Sequence, residues 1–188
     1  MSKVTWKAGT MLYPLPPVMV SCGTMERPNI ITVAWTGIAC SDPAMTYISV
    51  RPERYSHGII KKSGEFVINL TTEALARTAD WCGVKSGRDV DKFAARKLTP
   101  ERASQFAAPM IAESPLSIEC RVDRVIPLGT HDMFLANIAA VNVDEKLLDR
   151  KGTLHLENAG LIVTSHGRYF GLGRQIGTFG WSVKKKQA

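Results

Sequence analysis

The sequence lacks the features that would direct it to a membrane or out of the cell. No apolar run approaches the ~18 residues of a membrane-spanning helix, and the opening MSKVTWKAGT has no signal-peptide core or cleavage site. Its four cysteines, at positions 22, 40, 82 and 120, form no C-x-x-C pair, which argues against a disulfide framework and a structural zinc site. We therefore expect a cytoplasmic protein with reduced thiols, no bound metal and no membrane partner.

Several catalytic motifs are also missing. There is no G-x-x-x-x-G-K-[ST] loop, the four histidines have no metal-ligand spacing, and no serine lies in a nucleophile elbow. The stretch GLGRQIG at 171–177 is spaced G-x-G-x-x-x-G and has no βαβ unit after it, so it is not a dinucleotide fingerprint. These absences exclude metallohydrolase and serine hydrolase chemistry.

Acidic residues are outnumbered, and the net charge of +7 favours an anionic partner. Three of the excess charges lie in the tail Lys184–Lys186, which we expect to be a solvated end. Nucleic-acid binding would need a basic face interleaved with aromatic residues or a known reading module, and the sequence has neither. A small phosphorylated ligand fits the charge balance.

Strand signals dominate both ends of the chain, and helical signals lie in the middle. Alternation of apolar and polar residues is clearest at 116–122, which predicts a strand with one buried face. The predicted strands are 18–23, 29–36, 44–50, 65–70, 116–122 and 132–145, with a hairpin over 160–173; the predicted helices are a short one ending at Ser63-Gly64 and one over 71–84. This order predicts one mainly β domain over residues 1–188: a closed or nearly closed antiparallel barrel with inserted helices.

Three segments have the composition of a site for a phosphorylated cofactor. In RPERYSHG, a helix begins whose N-terminus could meet a phosphate, and the polar residues that lead into it are Arg51, Arg54, Ser56 and His57; the alternative is a capped helix with solvated arginines. In CGVKSGRDVDKF, the Ser86-Gly87 turn offers backbone N–H groups and Lys92 a cation; the alternative is a charged surface turn. In NIITVAWTG, small residues would let a flat ring approach the strand; the alternative is a core strand.

Taken together and in order, these segments resemble the flavin-reductase-like family of FMN-binding split barrels, which includes the flavoredoxins. The stretches that carry the resemblance are PNIITVAWTG, SDPAMTYISVRPERYSHGII, GEFVINL, CGVKSGRDVDKF and THDMFLANI, between about Val18 and Val143. The resemblance implies a Greek-key split β-barrel, a homodimer, and FMN held without a covalent bond near the subunit interface.

The resemblance also implies which residues contact FMN. They fall into three groups: Thr32, Val33, Ala34 and Trp35 along the ring and ribityl chain; Ser49, Val50, Arg51, Arg54 and Ser56 leading to the phosphate; and Ser86, Asp91, Lys92 and Phe93 closing over the cofactor, with Lys92 balancing phosphate charge. On the substrate side the match is looser, and His131, Tyr169 and Phe170 are the candidates there.

Two redox functions follow from the resemblance, and a third, non-redox possibility is a flavin-binding or storage module. The first is an NAD(P)H:flavin, or other acceptor, oxidoreductase that receives hydride at flavin N5 and supplies electrons to a partner monooxygenase or another acceptor. The second is a flavoredoxin-like electron carrier that keeps its FMN and does not react directly with NAD(P)H. Hydride transfer to a bound flavin needs no acid–base residue, so no catalytic side chain is assigned.

Overall fold

A computed structural model describes residues 1–183; the lysine tail at 184–186 lies outside the described residues. The strands are β1 Val18–Gly23, β2 Pro28–Val33, β3 Thr36–Ser41, β4 Ala44–Val50, β5 Glu65–Asn69, β6 Pro100–Glu101, β7 Met110–Ile111, β8 Leu116–Pro127, β9 Asp132–Val143, β10 Ile162–Ser165 and β11 Arg168–Gly171. The α-helices are α1 Tyr55–Ser63, α2 Ala76–Val84 and α3 Lys92–Arg96, and 3-10 turns cover Glu145–Leu147, Leu156–Asn158 and Trp181–Val183.

Seven strands form one antiparallel sheet in the order β2-β1-β5-β8-β9-β4-β3. Non-consecutive strands are neighbours at β1/β5, β5/β8 and β4/β9, as a Greek-key arrangement requires. The two outermost strands, β2 and β3, follow one another in the chain, so the sheet curls back on itself at residues 34–35. The predicted split β-barrel is therefore confirmed.

The barrel interior is filled by alternate residues from six strands and one helix. The cluster consists of Val18, Val20, Cys22, Ile31, Val33, Ile48, Val50, Ile60, Phe66, Ile68, Cys120, Phe134 and Ala136. Ile60 is the contribution of α1, which packs against β1, β2 and β5. Because each buried aliphatic or aromatic side chain stabilises the fold by about 1.5–3 kcal/mol, this cluster fixes the frame on which the site is built.

A second apolar cluster packs α2 and α3 against the outside of β1 and β2. Met19 and Ile30 point away from the barrel interior and meet Ala79 and Cys82 of α2 and Phe93 of α3. The strands β1 and β2 are therefore covered on both faces, which explains their almost uninterrupted apolar sequences. This packing brings the end of α2 beside the end of β2.

The ends of the two longer helices differ in how well the sequence predicts them. Helix α1 ends as expected at Ser63, and Gly64 has a φ of 72° that lets its N–H donate to the Ile60 carbonyl at 2.9 Å. Helix α2 starts at Ala76 and not at 71, because Thr72 forms a bridge with Leu161 and its segment follows that strand-like contact.

The strand predicted over 29–36 is two strands. Strand β2 ends at Val33, and β3 begins at Thr36. Between them the Thr36 N–H donates to the Ala34 carbonyl at 3.0 Å, and the Ser49 N–H donates to the Trp35 carbonyl at 2.8 Å. This break moves the chain from one sheet edge to the other and leaves residues 34–35 at the mouth of a cleft.

Among residues 1–183, no helix is both long and apolar enough to cross a membrane.

Candidate functional site

The break between β2 and β3 forms one wall of a surface cleft of about 230 Å³, which we call the strand cleft. Its lining consists of Ile31, Thr32, Val33, Ala34, Trp35, Ser49, Val50, Arg51, Arg54, Gly83 and His131. Most of these residues are half-buried, and Arg51 is exposed, so the cleft is open to solvent along one side. All four residues predicted along a flavin ring lie here, together with Ser49, Val50 and Arg51 of the phosphate approach.

A second cavity of about 220 Å³, which we call the basic pocket, adjoins the strand cleft. It is lined by Ile31, Glu53, Arg54, Tyr55, Ser56, Lys85, Ser86, Gly87, Arg88 and Lys92, so four cationic side chains face a single carboxylate. Ile31 and Arg54 line both cavities. A half-apolar cleft joined to a cationic pocket suits a ligand with a flat ring at one end and a phosphate at the other.

Arg54 stands at the junction because it occupies the N-cap position of α1. Its guanidinium donates to the Gly83 carbonyl near the end of α2, which holds the side chain between the two cavities. No side chain caps this helix end and its first turn has no acidic residue. The free N–H groups and the positive end of the helix dipole therefore add to the anion-attracting character of the basic pocket.

Lys92 lies at the bottom of the basic pocket and is 2 % exposed. Its ammonium donates to the carbonyl oxygens of Ile30 and Cys82, both at 2.7 Å. Burial lowers the pKa of Lys92 to about 8, and the positive charge of Arg54 acts in the same direction. The predicted phosphate-balancing lysine is thus also a structural lysine that ties β2 to the end of α2.

Not every predicted contact residue lies in the two cavities. Asp91 caps α3, where its carboxylate accepts from the Ala94 N–H at 3.1 Å, and Phe93 is buried in the cluster under α3. Neither residue lines the strand cleft or the basic pocket. In this structure they order the segment that places Lys92, so the prediction of direct cofactor contact has no support from their positions.

The candidates for the substrate side also separate. His131 lines the strand cleft and immediately precedes β9. Tyr169 instead lies over α2, where its hydroxyl donates to Asp80 at 3.1 Å, and Phe170 follows it on the exposed hairpin β10–β11. Only His131 is therefore placed where it can meet a ring or a substrate in the strand cleft.

Sequence reasoning missed several residues of the site. Gly83 lines the strand cleft, and Tyr55, Lys85 and Arg88 line the basic pocket, where the Arg88 guanidinium lies 5.8 Å from the centre of the Tyr55 ring. Lys85 and Arg88 could have been found from the sequence, because their positive charges lie on both sides of the Ser86-Gly87 turn. The position of Gly83 depends on how α2 packs on β2, which no local pattern shows.

The chain matches the model of the flavin reductase like domain over residues 10–171. It therefore belongs to the flavin reductase-like family, and its class is that of flavin-linked oxidoreductases.

Individual relatives agree with this class. A solved flavoredoxin of Desulfovibrio vulgaris (Miyazaki F) is 31 % identical with a TM-score of 0.90, covering 97 % of this chain and all of that one. A solved FMN-binding protein from Thermus thermophilus is 26 % identical with a TM-score of 0.78, covering 94 % and 99 % of the two chains. The NADH-dependent FMN reductase AsuE2 of Streptomyces nodosus subsp. asukaensis is 27 % identical over 71 % of each chain.

Proposed function

We propose that this protein binds FMN without a covalent bond and acts as an NAD(P)H-dependent oxidoreductase. The observation that carries the proposal is the junction of the strand cleft with the basic pocket at Arg54. It is supported by the similarity to an FMN-binding protein and to an NADH-dependent FMN reductase.

The residues present fit FMN on structural grounds. The basic pocket has four cations, the uncapped N-terminus of α1 and the buried hydroxyl of Ser56, which together suit a phosphate dianion. A glycine at position 87 lets the loop backbone pack directly on the Asn29 amide beside the pocket, because a Cβ there would lie 1.9 Å from the Asn29 side-chain oxygen. In the strand cleft, Ala34 and the backbone of residues 32–35 leave room for a flat ring.

When bound, FMN would supply the chemistry of accepting a hydride and passing the electrons on. The chain's own residues would position it: Arg54, Ser56 and the N–H groups of Ser86 and Gly87 hold the phosphate, and residues 32–35 support the ring. The Arg88 N–H is bonded to the Ser86 hydroxyl at 3.2 Å. His131 also lines the strand cleft and would orient the second reactant. The positive charge around the two cavities would attract an anionic dinucleotide.

The proposal is tested by mixing FMN-loaded protein anaerobically with NADH or NADPH and following the visible flavin absorbance. We expect bleaching within seconds, and a weaker effect as salt is raised. Dithionite added to a parallel sample is the control for reducible flavin. If dithionite bleaches the flavin and neither nicotinamide does so over many minutes, the reductase proposal is wrong.

The second candidate is an electron carrier that keeps its FMN and exchanges electrons with a protein partner. The similarity to a flavoredoxin over nearly the whole chain favours it. It would give the dithionite-only outcome of the same experiment. The open side of the strand cleft favours the reductase, since a stacked nicotinamide needs access to the ring.

We also propose that the protein is a homodimer. Strand β9 has mostly half-buried residues, with Val141 53 % exposed, so part of its apolar surface is not covered within one chain. The two terminal arms add exposed apolar side chains at Val4, Trp6, Leu12, Ile176, Phe179 and Trp181. This many large exposed apolar side chains favours a protein–protein interface.

A further inference from the structure

Asn29 lies on β2 next to the basic pocket but does not line it. It is 4 % exposed, and its amide nitrogen donates to the Ser56 hydroxyl oxygen at 2.7 Å. The same nitrogen lies 3.7 Å from the Cys22 sulfur. The amide is thus held between the barrel interior and the first turn of α1.

The hydrogen bond from Asn29 determines whether the Ser56 hydroxyl can donate its proton to a ligand. An amide NH₂ group only donates, so the Ser56 oxygen is an acceptor in this bond and its own proton remains available for another partner. Burial raises the pKa of the Cys22 thiol to about 11, so the nearby sulfur stays neutral and is a weak acceptor. A phosphate in the basic pocket would be the stronger acceptor for the Ser56 proton.

The other end of the Asn29 amide faces the loop that closes the basic pocket. A Cβ built on Gly87 would lie 1.9 Å from the Asn29 side-chain oxygen and 3.0 Å from Cδ1 of Tyr55. The loop backbone therefore packs directly on the amide, and Ser86 and Arg88 on either side of Gly87 reach the pocket from that position.

We propose that Asn29 is the positioning residue of the phosphate site: its amide makes Ser56 a donor toward the phosphate and sets how closely the 86–88 loop approaches. This inference rests on the proposed function. It assigns a role in discriminating phosphorylated from unphosphorylated flavin to a residue that touches neither cavity.

The isosteric substitution Asn29→Asp separates this role from simple packing. A carboxylate of the same shape only accepts, so the Ser56 proton turns away from the phosphate, and a negative charge is added beside the pocket. We expect the FMN dissociation constant of Asn29→Asp to rise about 10-fold or more, the scale of a hydrogen bond to a charged group. The riboflavin dissociation constant should stay within about twofold, since riboflavin has no phosphate.

The contact with the loop is tested by Gly87→Ala and by the double variant Asn29→Ala/Gly87→Ala. The alanine methyl collides with the Asn29 amide, so Gly87→Ala alone should weaken FMN binding. Removing the amide leaves space for the methyl, so the double variant should bind FMN more tightly than Gly87→Ala. Such a non-additive pair indicates direct contact between the two positions in the functional state.

Binding is measured by quenching of flavin fluorescence, and near-UV circular dichroism of each variant checks that it is folded. Selective loss of FMN affinity in Asn29→Asp, with riboflavin affinity kept, supports the inference. Two results would overturn the inference alone, provided that the wild-type protein binds FMN. One is an FMN affinity of Asn29→Asp equal to that of the wild type, and the other is a loss of riboflavin affinity as large as the loss of FMN affinity. Wild-type protein that binds neither flavin overturns the proposed function and the inference with it.

Discussion

The lysine under the basic pocket leads to a prediction about pH. Lys92 is buried, and its pKa of about 8 in the free protein lies below its ordinary value of 10.5. A bound phosphate dianion would favour the charged ammonium and raise this pKa again. FMN binding above pH 8 must therefore take up a proton, and the affinity must fall as pH rises.

The expected size of the pH effect on FMN affinity follows from the fraction of Lys92 that is charged. Between pH 7 and 8 the FMN dissociation constant should change little, and above pH 8 it should increase by at most about tenfold per pH unit, until the pKa of the complex is reached. Stability of the free protein should change in the opposite direction. The unfolded chain keeps a proton between pH 8 and 10.5 that the folded chain releases, so the Lys92 contribution to stability rises with pH over that window.

The assay is a titration of FMN and riboflavin fluorescence at several pH values from 7 to 10, with Lys92→Met as the matched variant. Methionine keeps the volume of the side chain and removes its charge, and we expect this variant to bind FMN about 1.5–3 kcal/mol more weakly at pH 7. Its FMN affinity should not fall between pH 8 and 10. A pH dependence that is identical in the wild type and Lys92→Met, or that riboflavin shows equally, would refute this reasoning.

Three further predictions concern the phosphate site, the fold and the assembly. Arg54→Ala should weaken FMN binding by about 1.5–3 kcal/mol in the same titration, whereas Arg124→Ala, an exposed arginine outside both cavities, should not; equal effects would contradict the site. Burial alone would raise the pKa of Glu119, but hydrogen bonds from Ser104, Asn142 and Gln105 lower it. The Glu119 carboxylate therefore stabilises the fold at neutral pH, and this contribution is lost as pH falls through the lowered pKa. Glu119→Gln should lower the free energy of unfolding in urea by about 1–3 kcal/mol, and an unchanged midpoint would show that these bonds contribute nothing. Light scattering at micromolar concentration should give twice the mass of the chain, and a monomer with full FMN occupancy would contradict an interface near the site.

The barrel strands were predictable because their signal is local. Alternation at 116–122 and the apolar runs at 18–23 and 44–50 report burial directly, and the structure places strands there. The break after Val33 was not predictable, since Ala34 and Trp35 are not turn formers. At the break the Thr36 N–H bonds to the Ala34 carbonyl, and from Trp35 onward the chain pairs with β4, where Ser49 donates to the Trp35 carbonyl.

The candidate site was predicted from the family resemblance, and the structure brings part of the predicted residues together. The segments around residues 32–35 and 51–56 lie together in the strand cleft and at Arg54, as the family resemblance implied. The segment 86–93 is one motif in sequence but has three structural roles, since Ser86 lines the pocket, Asp91 caps a helix and Phe93 fills a core. Only the tertiary packing of α3 on β2 separates these roles.

The central claim is that the joined strand cleft and basic pocket hold FMN, and the most direct measurement is a flavin titration of the purified protein. Protein-bound flavin is first released by acid and identified by its spectrum and chromatographic mobility, and the resulting apoprotein is titrated with FMN while its fluorescence is followed. We predict yellow protein, FMN as the released flavin, and saturating quenching at one FMN per chain. Colourless protein that also leaves the fluorescence of added FMN unchanged would contradict the account.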